Sequence, residues 1–162
     1  MSGIQYNSSG SKIYEFKNIN GEGKEYDMGG NIIYIGEYLN RERNGKGKEF
    51  YKNGKLLFEG VYLKNKKWEG NLFDPFKNIY KLEEGKGYIK EYNPDGELEY
   101  EGEYLNGEKN GKGKEYYSNG KLNFEGEFLN GKKNGKGKQY NFDGKLNFEG
   151  KLLNGKKNGK GK

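Results

Sequence analysis

The chain has 162 residues, 30 Lys or Arg against 24 Asp or Glu, and no cysteine or histidine. Its formal net charge is +6. These absences remove disulfides, thiolate metal sites and the commonest general base. Only 30% of residues are hydrophobic, which excludes a thick two-layer core, but 15% are aromatic and recur at fixed positions, which excludes a disordered tail.

Residues 1–20 lack the apolar run of a signal peptide, and no later stretch reaches the length of a membrane-spanning segment. A soluble cytoplasmic protein is expected. This N-terminal stretch is irregular and predicts a cap built around Ile13, Tyr14 and Phe16.

A repeat array is expected over 21–162. The block EGEYLNGEKNGKGKEYYSNGKLN at 101–123 returns as EGEFLNGKKNGKGKQYNFDGKLN at 125–147, a shift of 24 residues. Gly102, Gly126 and Gly150 are in phase, as are Gly36 and Gly60. A period of this size means one small unit stacked many times, and such arrays present a surface more readily than a deep catalytic pocket.

Each unit reads as a β-hairpin, so the expected class is all-β. Asn53-Gly54, Asp95-Gly96, Asn119-Gly120 and Asp143-Gly144 separate strand-like runs, with Gly29-Gly30 in the equivalent place. Such pairs suit two-residue type I′ turns, which need positive φ at both positions. A second turn follows at Asn106-Gly107, Asn130-Gly131 and Asn154-Gly155. With Asn119 and Gly120 as the loop, Glu115 faces Phe124 and Gly113 faces Gly126. Lys114 then opposes Glu125 and Lys112 opposes Glu127 on the other face. The same register pairs Lys48 with Glu59 and Lys138 with Glu149. Glycines would meet at 23/36, 47/60, 113/126 and 137/150, each pair covered by a ring from an adjacent repeat.

The pattern breaks at about 64–84, where sixteen extra residues carry the only tryptophan, Trp68. This is either a degenerate repeat or a docking loop. Residues 102–162 hold 14 Lys and 7 acidic residues, so the basic character lies in the C-terminal third. The end at Gly161-Lys162, early in another strand-like run, suggests a longer natural chain.

Chemistry-bearing motifs are weak. The recurring Gly-Lys-Gly-Lys lacks the hydroxyl and helix of a phosphate loop. Glu59, Glu101, Glu125 and Glu149 repeat in phase, which argues for structure rather than one tuned catalytic acid. No catalytic residue, metal site or cofactor is expected, and nucleic acid is disfavoured because the rings lie away from the lysines. Stacked lysines either form a solvated face balanced by glutamates or a stripe for anionic lipid headgroups. Lys132, Lys133, Lys156 and Lys157 lack obvious partners and are the candidate lipid-binding residues.

The units YEGEYLNGEKNGKGKEY and FEGEFLNGKKNGKGKQY, with an aromatic-x-Gly opening, a central Asn-Gly and a later Gly-x-Gly, resemble MORN repeats over most of 21–162. Tyr26, Phe50, Tyr116 and Tyr140 after Gly-x-Gly look closer to the variant in bacterial antitoxin-annotated proteins than to eukaryotic scaffolds. The resemblance implies an elongated, curved and twisted single-layer antiparallel sheet and carries over no catalytic residues. It also implies scaffold or adaptor roles, self-association, antitoxin-like partner binding, or affinity for phosphoinositide membranes. The leading expectation is a non-enzymatic scaffold whose aromatic and glycine groove (Tyr104, Phe124, Phe128, Phe148, with Trp68) binds another protein or a second copy. Peripheral binding to acidic lipid is the alternative.

Overall fold

A computed structural model describes residues 3–8, 10–16 and 20–158, and among them there is no helix. The chain divides into two compact units, Met1–Glu83 and Glu84–Lys162. The first holds an eight-stranded antiparallel sheet in sequence order: β1 (Gly3–Tyr6), β2 (Lys12–Phe16), β3 (Gly21–Tyr26), β4 (Ile32–Leu39), β5 (Glu42–Phe50), β6 (Leu56–Leu63), β7 (Lys66–Phe73) and β8 (Ile79–Leu82). The second holds seven strands, also in sequence order: β9 (Gly87–Tyr92), β10 (Leu98–Leu105), β11 (Glu108–Tyr116), β12 (Leu122–Leu129), β13 (Lys132–Tyr140), β14 (Leu146–Leu153) and β15 (Lys156–Asn158). The all-β array of hairpins therefore falls into two open sheets. The N-terminal residues pair as β1 and β2, and the stretch 64–84 contains β7 and β8.

The expected register holds from Glu115 inward, but Tyr116 and not Tyr117 faces Leu122, and the hairpin turn is not of the expected type. Glu115 faces Phe124, Lys114 faces Glu125 and Gly113 faces Gly126. The loop before Leu122 is not a two-residue I′ turn. Tyr117 N donates to the Lys121 carbonyl and Gly120 N to the Tyr117 carbonyl, both at 2.9 Å, and of Asn119 and Gly120 only Gly120 has positive φ (+75°). This is a three-residue loop closed by a left-handed glycine. The extra residue is absorbed by a register shift between Glu115 and Tyr116, so the strand pairing survives. The I′ geometry belongs to the second turns: Asn130 and Gly131 have φ of 50° and 77°, and Asn106/Gly107 and Asn154/Gly155 match them.

The glycines form a continuous row across each sheet. Gly23, Gly36, Gly47, Gly60 and Gly70 pair in succession in the first, and Gly102, Gly113, Gly126, Gly137 and Gly150 in the second. In three of the four expected hairpin pairs a ring from the preceding repeat covers the first glycine, and that same ring also covers the glycine two residues after it on its own strand. Tyr34 lies against Gly36 and Gly47, Tyr100 against Gly102 and Gly113, and Phe124 against Gly126 and Gly137. A Cβ on Gly113 would stand 2.7 Å from Tyr100 Cε2, so the large ring occupies the volume that the missing side chains vacate. This is how a single-layer sheet buries aromatics: Tyr34, Phe58, Tyr100 and Phe124 have no exposed surface.

Candidate functional site

Each sheet has two unlike faces, and the ring face is closed. In the first unit, Tyr14, Tyr38, Tyr34, Tyr62 and Phe58 meet edge to face with successive centroid separations of 5.4, 5.5, 5.2 and 5.2 Å. In the second, Tyr104, Tyr100, Phe128 and Phe124 do so at 5.7, 5.3 and 5.3 Å, and Phe148 and Leu152 complete the cluster. Edge-on pairs of this kind add to simple area burial.

Cations seal the rings. Arg43 lies over Tyr34 at 4.1 Å, Lys109 over Tyr100 at 4.4 Å, and Lys133 over Phe124 and Lys157 over Phe148 at 4.8 Å each. They alternate with glutamates whose strand positions face the rings. In the first unit the ladder runs Glu25, Arg43, Glu49, Lys67, with ion pairs of 2.7, 3.1 and 2.7 Å. In the second it runs Glu91, Lys109, Glu115, Lys133, at 3.8, 3.3 and 2.8 Å. At the next step, opposite Phe148, stands Gln139 instead of glutamate. Among the described residues Lys157 has no ion pair.

The ladder sets its own titration. Burial pushes the Glu25 carboxyl upward, but hydrogen bonds from Arg43 and Tyr38 outweigh it and hold the group below the usual value. Glu49 follows the same balance, with Lys67 and Arg43 outweighing burial. Burial, then the Glu91 carboxylate, raises the Tyr104 hydroxyl. No buried side-chain nitrogen or oxygen among the described residues lacks a hydrogen-bond partner. The buried interior of the ring face therefore offers no spare polar group to a ligand.

These findings correct the expected groove. Phe124, Phe128 and Phe148 are core, exposed by at most 5%, and Tyr104 packs half-buried against them. Trp68 is half-buried on β7, in the position that asparagines take in other repeats, and lies in the other unit. The four lysines also separate by face: Lys133, half-buried, and Lys157, exposed, lie over rings, whereas Lys132 and Lys156 are exposed on the opposite face. Alternation decides this, because adjacent residues of one strand point to opposite faces. A sequence count of lysines without facing acids could not see a ring as the partner.

The opposite face is open. In the second unit two rows of charge flank the glycine row. One row runs Lys90, Glu101, Lys114, Glu125, Lys138, Glu149 through directly facing pairs. Ion pairs in it include Lys90–Glu101 at 3.2 Å and Lys138–Glu149 at 3.7 Å. The other row contains Glu103, Lys112, Glu127, Lys136 and Lys151. Glu127 turns into the wide bulge of β13, where it accepts the Lys136 backbone N–H at 3.1 Å. Between the rows are two hollows floored by glycine backbone. One, of about 620 Å³, is lined by Lys136, Lys138, Lys151, Glu125, Glu149 and Asn158. The other, of about 530 Å³, includes Tyr88, Lys112 and Lys114. At the strand ends Leu129 faces Lys132 and Leu153 faces Lys156, both leucines about half exposed.

Compared with known families, the MORN repeat matches residues 100–121, 124–145 and 148–162, and the MORN repeat variant matches 43–64 and 86–106. No curated protein matches the chain. These repeats are a non-catalytic family, generally associated with protein or membrane-lipid interaction. No helix of the described residues is long and apolar enough to cross a membrane.

Proposed function

The chain belongs to the MORN repeat family, and we propose that it is a non-enzymatic protein-interaction platform whose contact surface is the open face of Glu84–Lys162. One observation carries this reading: the rings are consumed by the glycine row and sealed by cations, while the opposite face keeps a furrow between two rows of hydrated charge. A partner there meets Lys, Glu and bare backbone, a polar and wet contact surface. Photo-crosslinking in cells tests it. A crosslinkable residue at Lys112 or Lys136 is expected to capture a discrete protein or a second copy, and one at Lys157, on the ring face, is not. Equal capture from both faces, or none from the furrow, would overturn the assignment.

A second reading rests on the strand ends. Leu129 beside Lys132, and Leu153 beside Lys156, place an apolar side chain next to a cation at successive repeats, the combination that docks on anionic lipid. Co-sedimentation with phosphatidylserine-containing vesicles, absent with phosphatidylcholine alone and lost in Lys132→Glu/Lys156→Glu, would support it. Binding that survives the double substitution would sink it.

A further inference from the structure

On the open face of the second unit, one facing pair breaks a rule that the others keep. Lys90 faces Glu101, Glu101 faces Lys114, Lys114 faces Glu125, Lys112 faces Glu127, Glu125 faces Lys138 and Lys138 faces Glu149, always with opposite sign. Lys136 faces Lys151. Position 151 corresponds to Glu103 and Glu127 in the two preceding repeats, so the acid expected there has been replaced by a base. Like charges directly opposite one another on a sheet are destabilising. The next strand offers no relief, because Lys151 is also faced by Asn158, which is neutral. Both lysines are exposed, and among the described residues neither has an ion pair.

The pair stands in the 620 Å³ hollow, over the bare backbone of Gly126, Gly137 and Gly150. An anion between the two ammonium groups would convert a repulsive pair into two attractive ones. The surroundings restrict what that anion can be. Glu125 and Glu149 line the same hollow, and Glu127 lies one strand away. Their repulsion weighs more heavily on a dianionic phosphate, or on a sheet of anionic headgroups, than on a single carboxylate. The furrow is open along the glycine row, so it accepts a chain lying across the strands instead of a compact molecule. Strands are about 4.8 Å apart, and same-side residues of an extended peptide are about 6.8 Å apart. A basic side chain two residues from the carboxylate would therefore lie within reach of Glu125 or Glu127.

We infer that Lys136 and Lys151 form a receptor for one carboxylate of an extended partner segment, in which an Asp or Glu is flanked two residues away by Lys or Arg. The inference rests on the open face being the contact surface and adds the chemistry of what it contacts.

The test is a two-dimensional NMR titration of the full chain with a synthetic peptide, Ala-Lys-Ala-Glu-Ala-Lys-Ala with blocked ends. Its Glu→Gln form, a phosphoserine form and phosphatidylserine vesicles serve as the other arms. Shifts confined to Lys136, Lys151 and the glycine row are expected with the glutamate peptide. Binding should fall about tenfold with the glutamine peptide and weaken with added salt. Lys151→Glu restores the facing rule, so that variant should fold at least as stably as the parent and lose the peptide. Absence of peptide shifts in the parent, or equal binding by Lys151→Glu, overturns the receptor. Preference for the phosphoserine peptide or the vesicles overturns the carboxylate assignment. Capture of a protein by furrow crosslinkers together with a silent peptide titration would sink this inference alone and leave the contact surface standing.

Discussion

In Met1–Glu83 the cation over the leading ring is Arg43, which grips Glu25 with two nitrogens at 2.7 and 2.9 Å and reaches Glu49 at 3.1 Å. In Glu84–Lys162 the same place belongs to Lys109, at 3.8 and 3.3 Å from its two glutamates. A planar guanidinium can bond two carboxylates and stack on a ring at once, whereas an ammonium is a strongly hydrated point charge. The open faces differ in the same sense. Ile35 stands between Lys24 and Lys48, and Val61 faces Lys46, in the first unit. The corresponding rows of the second are charged at nearly every position. The first unit uses its charges to fix structure, and the second leaves several of them hydrated and available.

The largest effect should ignore that difference. Both sheets depend on the glycine row, so Gly47→Val and Gly137→Val are each expected to cost about 4 kcal/mol, because the new side chain must displace Tyr34 or Phe124 from its seat. Urea denaturation followed by Trp68 fluorescence reads the first unit, and far-ultraviolet circular dichroism reads both. A loss under about 1 kcal/mol in either variant would mean that the rings are not seated on the glycines.

Removing the ladder cation should separate the units. Arg43→Met leaves Glu25 and Glu49 without their shared counter-ion and should cost about 3 kcal/mol. Lys109→Met breaks longer contacts and should cost about half as much. Equal losses in the two variants would show that the guanidinium contributes no more than a charge.

Acid offers a gentler probe of the first unit. Glu25 and Glu49 both titrate below the ordinary carboxylate value of 4.5. A depressed native pKa stabilises the fold above the unfolded value, and that contribution is lost as pH falls through the native one. Stability read by Trp68 should therefore be flat above about pH 5 and decline as pH falls below the ordinary carboxylate value of 4.5. Glu25→Gln and Glu49→Gln should each flatten the decline. A profile unchanged by both substitutions would assign acid lability to other carboxylates.

How much of this was legible in the sequence differs between backbone and side chains. Glycines in phase, Asn-Gly punctuation and alternating Lys and Glu set the hairpins and their register, because a period-2 pattern tolerates no slip. The type of the hairpin turns is not legible, since Asn119-Gly120 and Asn130-Gly131 read alike, yet only the second adopts positive φ at both residues. The site was read least well. Nothing local says that Phe124 lies flat on glycines of its own strand and the next, or that Lys133 sits on Phe124 and Glu115. Apart from Phe124 on Gly126, two residues along its own strand, those contacts join residues that neither face each other nor lie close in sequence. The like-signed pair at Lys136 and Lys151 could have been found from the register alone, by listing every facing charge.

The smallest expected effect bears most directly on the comparison. Gln139 stands opposite Phe148 where Glu49 stands opposite Phe58 and Glu115 opposite Phe124. Gln139→Glu should give Lys157 a carboxylate and Lys133 a second one, continuing the ladder by one step. The gain should be about 0.5 kcal/mol, because the lysines are already partly satisfied by the rings beneath them. The reverse change in the first unit, Glu49→Gln, removes a carboxylate lodged between Arg43 and Lys67 and should cost several times that amount. The two variants, measured side by side in urea, compare adding one carboxylate with removing one. If Gln139→Glu destabilises, the cations of the second unit are balanced by hydration and rings alone, and its glutamates are not part of what seals the aromatic face.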